Sequence, residues 1–240
     1  FRSIFEKRKH KMFARFAKMA KAFTKIGREI VIAVKAGGPD PANNARLRQV
    51  IANARALNMP KDRIDGAIKR ANDKDTSNYE EVIYEGYAPH GVAVLIECAT
   101  DNPTRTVANI RMYFNRSEGE LGKSGSVSFM FDRKGLFKIN AKGMDKDETE
   151  LEFIDYGAEE FTWDDETSDL IIQTSFADFG QMQKALEDKG IEVQSASKVF
   201  IPNISKEVTE EQENEVMQLV EKMEDDDDVM SYFEKIAKED

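Results

Sequence analysis

Cysteine and histidine are nearly missing from this chain, with one Cys and two His in 240 residues. A lone Cys98 excludes an internal disulfide framework and suits a reducing cytoplasm. Set in an apolar strand, it reads as a buried, inert thiol. With only His10 and His90 beside it, no zinc constellation can be assembled. Long hydrophobic runs are missing too. Residues 30–34 and 92–96 form the longest, far below the ~18 residues of a membrane span. No apolar stretch follows the basic N-terminus, so no signal peptide is expected. Because the row opens on Phe1 rather than Met, a few residues are expected to precede it.

Catalytic patterns are equally scarce. Gly122-Lys123-Ser124 resembles the end of a phosphate-binding loop, but Ser117 stands where that loop needs its first glycine. The segment also leads from helix to strand, the reverse of the P-loop order. Asp145, Asp147 and Glu148 lack the glycine and terminal Glu of an EF-hand. The acidic run 224–228 reads as a solvated turn after a helix. No paired carboxylate, activated serine or reactive thiol stands out. The expectation is a protein that is not an enzyme, with no cofactor, no metal and no small-molecule substrate.

What is present is charge, unevenly placed. Residues 1–72 hold 18 Lys and Arg against 5 Asp and Glu, a net +13, while residues 73–240 hold 17 against 40, a net −23. Together they recover the chain's −10. Such asymmetry points to a nucleic-acid-facing module on an acidic body. Its centre is residues 13–34. There Phe13, Phe16, Ala20, Phe23, Gly27, Ile30 and Val34 share one helical stripe, and Lys11, Arg15, Lys18, Lys21, Lys25 and Arg28 fall opposite. The candidate phosphate-binding set is Lys7, Arg8, Lys9, Lys11, Arg15, Lys18, Lys21, Lys25, Arg28, Arg46, Arg48, Lys61, Arg63, Lys69 and Arg70. Cations of this kind release counterions from phosphates and carry little sequence information. Phe13 and Phe16 read as core, whereas Phe1 and Phe5 stay open as base-stacking residues.

In chain order, residues 1–77 read as helical. The first helix stops at Gly37-Gly38-Pro39, a second runs to about Leu57 with Arg46, Arg48 and Arg55 outward, and Pro60 opens a third. Residues 72–78 are a polar linker. Strands are predicted at 82–87 and 92–99 around the turn Ala88-Pro89-His90-Gly91, then a helix from Pro103 to about Arg116 and a strand at 126–131. Both faces of 92–99 are apolar, which favours a central position. Residues 135–201 spell β-α-β-β-α-β, the ferredoxin-like order. A helix at 209–224 and a strand at 229–233 then need a sheet to pack on. The fold expected is therefore α+β and multidomain: a basic helical domain 1–77, a discontinuous α/β domain 78–134 plus 203–240, and a ferredoxin-like domain 135–202 inserted in it.

Ala22-Phe23-Thr24-Lys25, Gly37-Gly38-Pro39-Asp40-Pro41, Asn44-Ala45-Arg46-Leu47-Arg48 and Asn58-Met59-Pro60-Lys61-Asp62 resemble the YebC family. So do Tyr84-Glu85-Gly86-Tyr87, Thr100-Asp101-Asn102, Arg105-Thr106-Val107-Ala108 and Gly125-Ser126-Val127, in order over nearly the whole chain. The resemblance implies a helical domain and two α/β domains, the third inserted in the second, and no enzymatic activity. Family members carry the label of DNA-binding transcriptional regulators. Others are translation factors, including the mitochondrial translational activator of cytochrome oxidase, and ribosome-linked members that assist proline-rich synthesis. The start departs from the pattern: 5–11 lack the tryptophan of the family's Ser-Lys-Trp segment.

Three functions compete. A DNA-binding transcriptional regulator needs an element that enters a groove, and the helix pair 44–57 and 60–72 resembles a helix-turn-helix only loosely. A translation factor bound to ribosomal RNA, with the ribosome as partner, tolerates the acidic remainder better. An adaptor binding acidic proteins would bind nucleic acid without dependence on Lys18, Lys25 or Arg28.

Overall fold

The computed structural model describes residues 22–74 and 76–238. Helix α1 (Ala22–Gly37) is the part of the predicted 13–34 helix within that range; the positions before Ala22 lie outside it. Its buried side is Ile26, Ile30, Ala33 and Val34, so Phe23 and Gly27 sit at the margin of the stripe and not at its centre. Gly38 ends the helix at φ +87°, donating to the Val34 carbonyl at 2.7 Å. Asn44 then does two jobs. Its side-chain oxygen caps α2 (Ala45–Ala56) by accepting from Leu47 N, and its Nδ2 donates to the carbonyls of Ala33 and Gly38. A side chain at Gly37 would place Cβ 2.8 Å from the Asn44 amide, so glycine is required there. Asn58, at φ +57°, turns the chain into α3 (Lys61–Ala71). The three helices share a core that includes Ile30, Leu47, Val50, Ala54, Ile64 and Ala67.

Strands β1 (Glu80–Ala88) and β2 (Val92–Thr100) form an antiparallel hairpin through Pro89–Gly91, where His90 has φ +62°. Helix α4 (Pro103–Arg116) follows, capped by Asn102. With β3 (Glu120–Leu121) and the late strand β9 (Val229–Glu234), these strands form a sheet of order β3-β1-β2-β9. The alternating faces of β2 explain its all-apolar sequence. Val92, Val94, Ile96 and Cys98 pack against α4 and α7 (Glu210–Glu224), and Ala93 and Leu95 pack against a second sheet.

That second sheet has order β5-β6-β4-β7, all antiparallel, from β4 (Phe131–Asn140), β5 (Ala158–Asp164), β6 (Asp169–Ser175) and β7 (Val193–Pro202). Helices α5 (Lys146–Ile154) and α6 (Phe179–Asp188) separate β4 from β5 and β6 from β7. One face, with Phe137, Ile139, Leu170 and Ile172, meets these helices; the other, with Leu136, Ile171 and Val199, meets the first sheet. The two sheets thus lie face to face over one shared apolar layer. Short β8 (Lys206–Val208) pairs in parallel with β10 (Ile236–Lys238).

The predicted strand 126–131 is not formed. Residues Ser128–Met130 make a 3-10 turn, and Phe131 opens β4 instead, five residues ahead of the strand expected from Leu136. The reason is Glu85 in β1, a buried carboxylate that accepts from the amides of Gly125, Val127 and Ser128 at 2.7–2.8 Å. Amides gathered on one carboxylate cannot also serve a strand ladder.

Candidate nucleic-acid interface

The structure divides the candidate basic residues. Lys7, Arg8, Lys9, Lys11, Arg15, Lys18 and Lys21 lie outside the described residues. Of the other eight, four are engaged by residues outside the helical unit, two of them turned inward and two, Arg46 and Arg48, still half exposed. Lys25 is buried and donates to the Glu224 carbonyl at 3.0 Å, which corrects its expected place on a solvent face. Arg28 reaches the Ala99 carbonyl and Asp228, both at 2.7 Å. Arg46 pairs with Glu81 in β1, and Arg48 pairs with Glu187 in α6 at 2.9 Å. The remaining four, Lys61, Arg63, Lys69 and Arg70, stand exposed on α3. Among the described residues they pair with no carboxylate.

Arg46 and Arg48 make half-exposed ion pairs with β1 and α6, and Lys25 and Arg28 form a latch that ties the helical unit to residues 224–228 beside the first sheet. Its centre is Asp228, in the acidic run expected to be a solvated turn. It is 3% exposed. Its carboxylate accepts from Arg28, from Arg105 at 3.0 Å and from the Thr106 hydroxyl at 2.8 Å. Burial pushes this carboxyl up, but the hydrogen bonds from Arg28, Arg105 and Thr106 outweigh it and hold it below the usual carboxylate range. Asp226 accepts from the Tyr113 hydroxyl at 2.8 Å and from Asp228 N. Arg28 of the helical unit and Arg105 of α4 thus converge on the last carboxylate of the run.

A second contact joins α2 to β7, the edge of the second sheet. Asn53 accepts from Ala196 N and donates to Ala196 O, both at 2.8 Å, and Gln49 adds a bond to the same carbonyl. A side-chain amide here occupies the place of a neighbouring strand and covers an edge that would otherwise invite pairing. Between this contact and the latch lies a cleft of about 720 Å³, lined by Glu29, Arg46, Glu81, Glu97, Arg133 and Lys198 among others. Burial raises the Glu29 carboxyl to about 7, with the Glu97 and Glu81 charges adding to it and Arg46 opposing. Burial likewise lowers Lys198 and raises Glu97.

On the far side of the helical unit, α1 and α3 leave a groove of about 510 Å³, lined by Phe23, Thr24, Gly27, Met59, Asp62, Arg63, Ala67 and Arg70. The Arg63 guanidinium stands 5.8 Å from the Phe23 ring centroid. Arg63 and Arg70 give this groove a basic rim, with Asp62 beside them.

Two family models cover nearly all of this architecture. Residues 3–74 match the TACO1/YebC protein N-terminal domain, and residues 79–236 match the TACO1/YebC second and third domain. The chain belongs to the TACO1/YebC family. A probable transcriptional regulatory protein of Flavobacterium psychrophilum is 55% identical over 229 residues, covering 95% of this chain and 96% of that one. Another, of Myxococcus xanthus, is 52% identical over 237 residues, covering 98% and 99%. The crystal structure of a conserved hypothetical protein from Aquifex aeolicus superposes with a TM-score of 0.78 at 36% identity, covering 92% of this chain and 90% of that one. TACO1/YebC membership makes this a non-enzymatic regulatory protein with an α+β, multidomain architecture of N-terminal helices and two sheet-containing parts. Among the described residues, no group of three or more His, Cys, Asp or Glu side chains is placed to hold a metal. No described helix is long and apolar enough to cross a membrane.

Sequence reasoning anticipated Asn44 only as a plausible helix cap, and missed Asn53, Glu85 and Asp228, which hold this family member together. Glu85 and the 125–128 turn it binds both lie in motifs that carry the YebC resemblance, so the signal was present as two separated segments. Nothing in either segment says that they touch.

Proposed function

We propose that this chain is a nucleic-acid-binding regulator of gene expression that meets RNA, in the manner of a ribosome-associated translation factor, through α3 and the basic stretch before α1. The observation that carries this reading is the division of charge on the helical unit. Lys61, Arg63, Lys69 and Arg70 stand exposed around the solvent-facing arc of α3, with Asp62 and Asp65 between them, while Lys25, Arg28, Arg46 and Arg48 are engaged by residues outside the helical unit. A net −23 on residues 73–240 therefore travels close behind the basic face. A long duplex crossing that face would meet repulsion within about a Debye length, roughly 8 Å at physiological salt. A folded RNA that presents one phosphate cluster avoids it. The reading takes residues 1–77 as the contacting domain, 78–134 with 203–240 as a discontinuous α/β domain, and about 135–202 as an inserted ferredoxin-like domain. The order β5-β6-β4-β7 with α5 and α6 on one face supports that last label, and the pairing of Phe131 with Pro202 adds the start of β4 to it.

A second reading, a DNA-binding transcriptional regulator, is favoured by the relatives' names and by one feature of the helices. Helices α2 and α3 are joined by residues 57–60 with Asn58 in the left-handed region, a short turn of the kind found in helix-turn-helix units. Ultraviolet crosslinking in living cells, with sequencing of the attached nucleic acid, separates the two. Ribosomal RNA clustered at one region is the expected result, lost when Lys61 and Lys69 are both changed to Glu. Discrete duplex sites upstream of genes would establish the second reading. Recovery of neither would leave an adaptor for acidic proteins.

A further inference from the structure

From the groove between α1 and α3 we infer a pocket for a single unstacked RNA base, held between the Phe23 ring and the Arg63 guanidinium. The inference rests on the RNA reading above and adds to it a specific site. Three features carry it. The first is Gly27, in the interior of α1, where glycine weakens a helix. A Cβ built there meets no atom within 4 Å. Packing therefore does not require the glycine, and its effect is to keep the groove floor open; the buried Ala67 opposite keeps it shallow on the α3 side.

The second feature is the pair of π faces. Arg63 stands 5.8 Å from the Phe23 centroid. A base stacked on both needs about 7 Å, twice the spacing of about 3.4 Å between stacked bases. An exposed arginine covers that difference of about 1 Å by rotating its side chain. Arginine planes and aromatic rings are the usual platforms for splayed RNA bases. The groove volume of about 510 Å³ lies within the range of ligand pockets, about 300–1,000 Å³.

The third feature is the polar rim. Arg70 lies seven residues beyond Arg63, so the two guanidinium groups start about 10 Å apart along the helix and reach successive phosphates of an extended strand. Asp62 stands at the same rim. A carboxylate there opposes a phosphate, yet with Thr24 it offers an acceptor for a ribose 2′-hydroxyl, the group that separates RNA from DNA.

The test is fluorescence anisotropy with the full chain and a short single-stranded RNA, compared with copies carrying one abasic position. The intact RNA is expected to bind about tenfold more tightly than the abasic copy, within the usual value of one stacked base. Gly27→Leu, which fills the groove and favours the helix, is expected to erase that difference. Phe23→Leu is expected to reduce it. Lys61→Glu with Lys69→Glu lies outside the groove and should weaken both RNAs alike. Equal binding of intact and abasic RNA, or discrimination that survives in Gly27→Leu, would overturn the pocket while leaving the phosphate surface standing. Binding indifferent to the lysine pair would remove the RNA reading itself. Single-stranded DNA of the same sequence, bound with equal affinity and equal base discrimination, would overturn the assignment to RNA.

Discussion

Replacing Asp228 by Ala tests the latch at its centre. The substitution removes a carboxylate that three side chains share, and their losses differ. Arg28 is the most affected. Its side chain is 14% exposed, and it keeps the Ala99 carbonyl and the face of the Tyr79 ring, 4.9 Å from the guanidinium, but no carboxylate among the described residues. Arg105 is 46% exposed and retains Asp101 at 2.9 Å. Thr106 retains the Thr100 hydroxyl and the Asn102 carbonyl. Removing one partner of a fully buried pair costs about 3–5 kcal/mol. With one arginine half in water, about 2–4 kcal/mol is expected here. For a chain of this length that lowers Tm by roughly 5–15 °C. A double-mutant cycle apportions it: coupling of about 1.5–3 kcal/mol between Asp228 and Arg28, against at most about 1 kcal/mol between Asp228 and the exposed Arg105.

The pH dependence has a fixed sign. The Asp228 carboxyl is held below its ordinary value, so the folded protein binds fewer protons than the unfolded chain as the acid range is entered. Its contribution is fully present above about pH 4, the unfolded value, and is lost as pH falls through the lower folded value. Urea unfolding of wild type and Asp228→Ala should give curves that converge below pH 4 and stay apart above it. A stability change under about 0.5 kcal/mol at pH 7, or a coupling to Arg105 larger than that to Arg28, would refute the latch as the tie between the units.

Glu85→Ala strands the buried Val127 amide and two partly buried ones and should cost about 2–3 kcal/mol, read as a lower midpoint in urea unfolding. Asn53→Ala exposes the edge of β7 at Ala196, so hydrogen exchange of the Ala196 amide should accelerate roughly tenfold or more while amides in β6 change little. Glu29 has the opposite sign to Asp228. Its carboxyl is raised to about 7, so its contribution is greatest below about pH 4 and falls away as pH rises to 7. Glu29→Gln should therefore stabilise the chain at pH 8 by on the order of 1–3 kcal/mol and have no effect at pH 4, measured by urea unfolding at both pH values. Gly37→Ala should displace the Asn44 side chain, releasing both of its donors, and lower Tm by several degrees in a thermal melt.

Most helices and strands were legible because their signals are local. Gly37-Gly38-Pro39 ends a helix through backbone geometry alone, and Pro60 and Pro103 open helices for the same reason. β2 was legible as a central strand because a residue between two apolar layers has no face to spend on water. The strand expected at 126–131 failed at the first long-range bond. Val127, Phe129 and Phe131 alternate as a strand should, yet Glu85, some forty residues earlier, holds the amides of Gly125, Val127 and Ser128 in a turn. Periodicity records which side chains avoid water and is silent about where a distant carboxylate will take amides.

The same limit governed the candidate site, with a larger consequence. Lys25 and Arg28 on α1 look like Arg63 and Arg70 on α3: isolated cations opposite an apolar stripe. Their fates differ because of the surface that docks against each helix. The carbonyls of Ala99 and Glu224 and the Asp228 carboxylate face α1, whereas no carboxylate among the described residues pairs with the α3 cations. The acidic run 224–228 appeared at odds with the helix dipole at the end of α7 when taken alone. Its last member, Asp228, is accounted for by Arg28 and Arg105, which arrive from positions far away in the chain, and Asp226 by the Tyr113 hydroxyl. The charge asymmetry of the two segments thus has two uses, both intelligible only once they are docked. Part of the positive charge fastens the helical unit to the acidic body, and the part on α3 stays exposed with no described carboxylate paired to it.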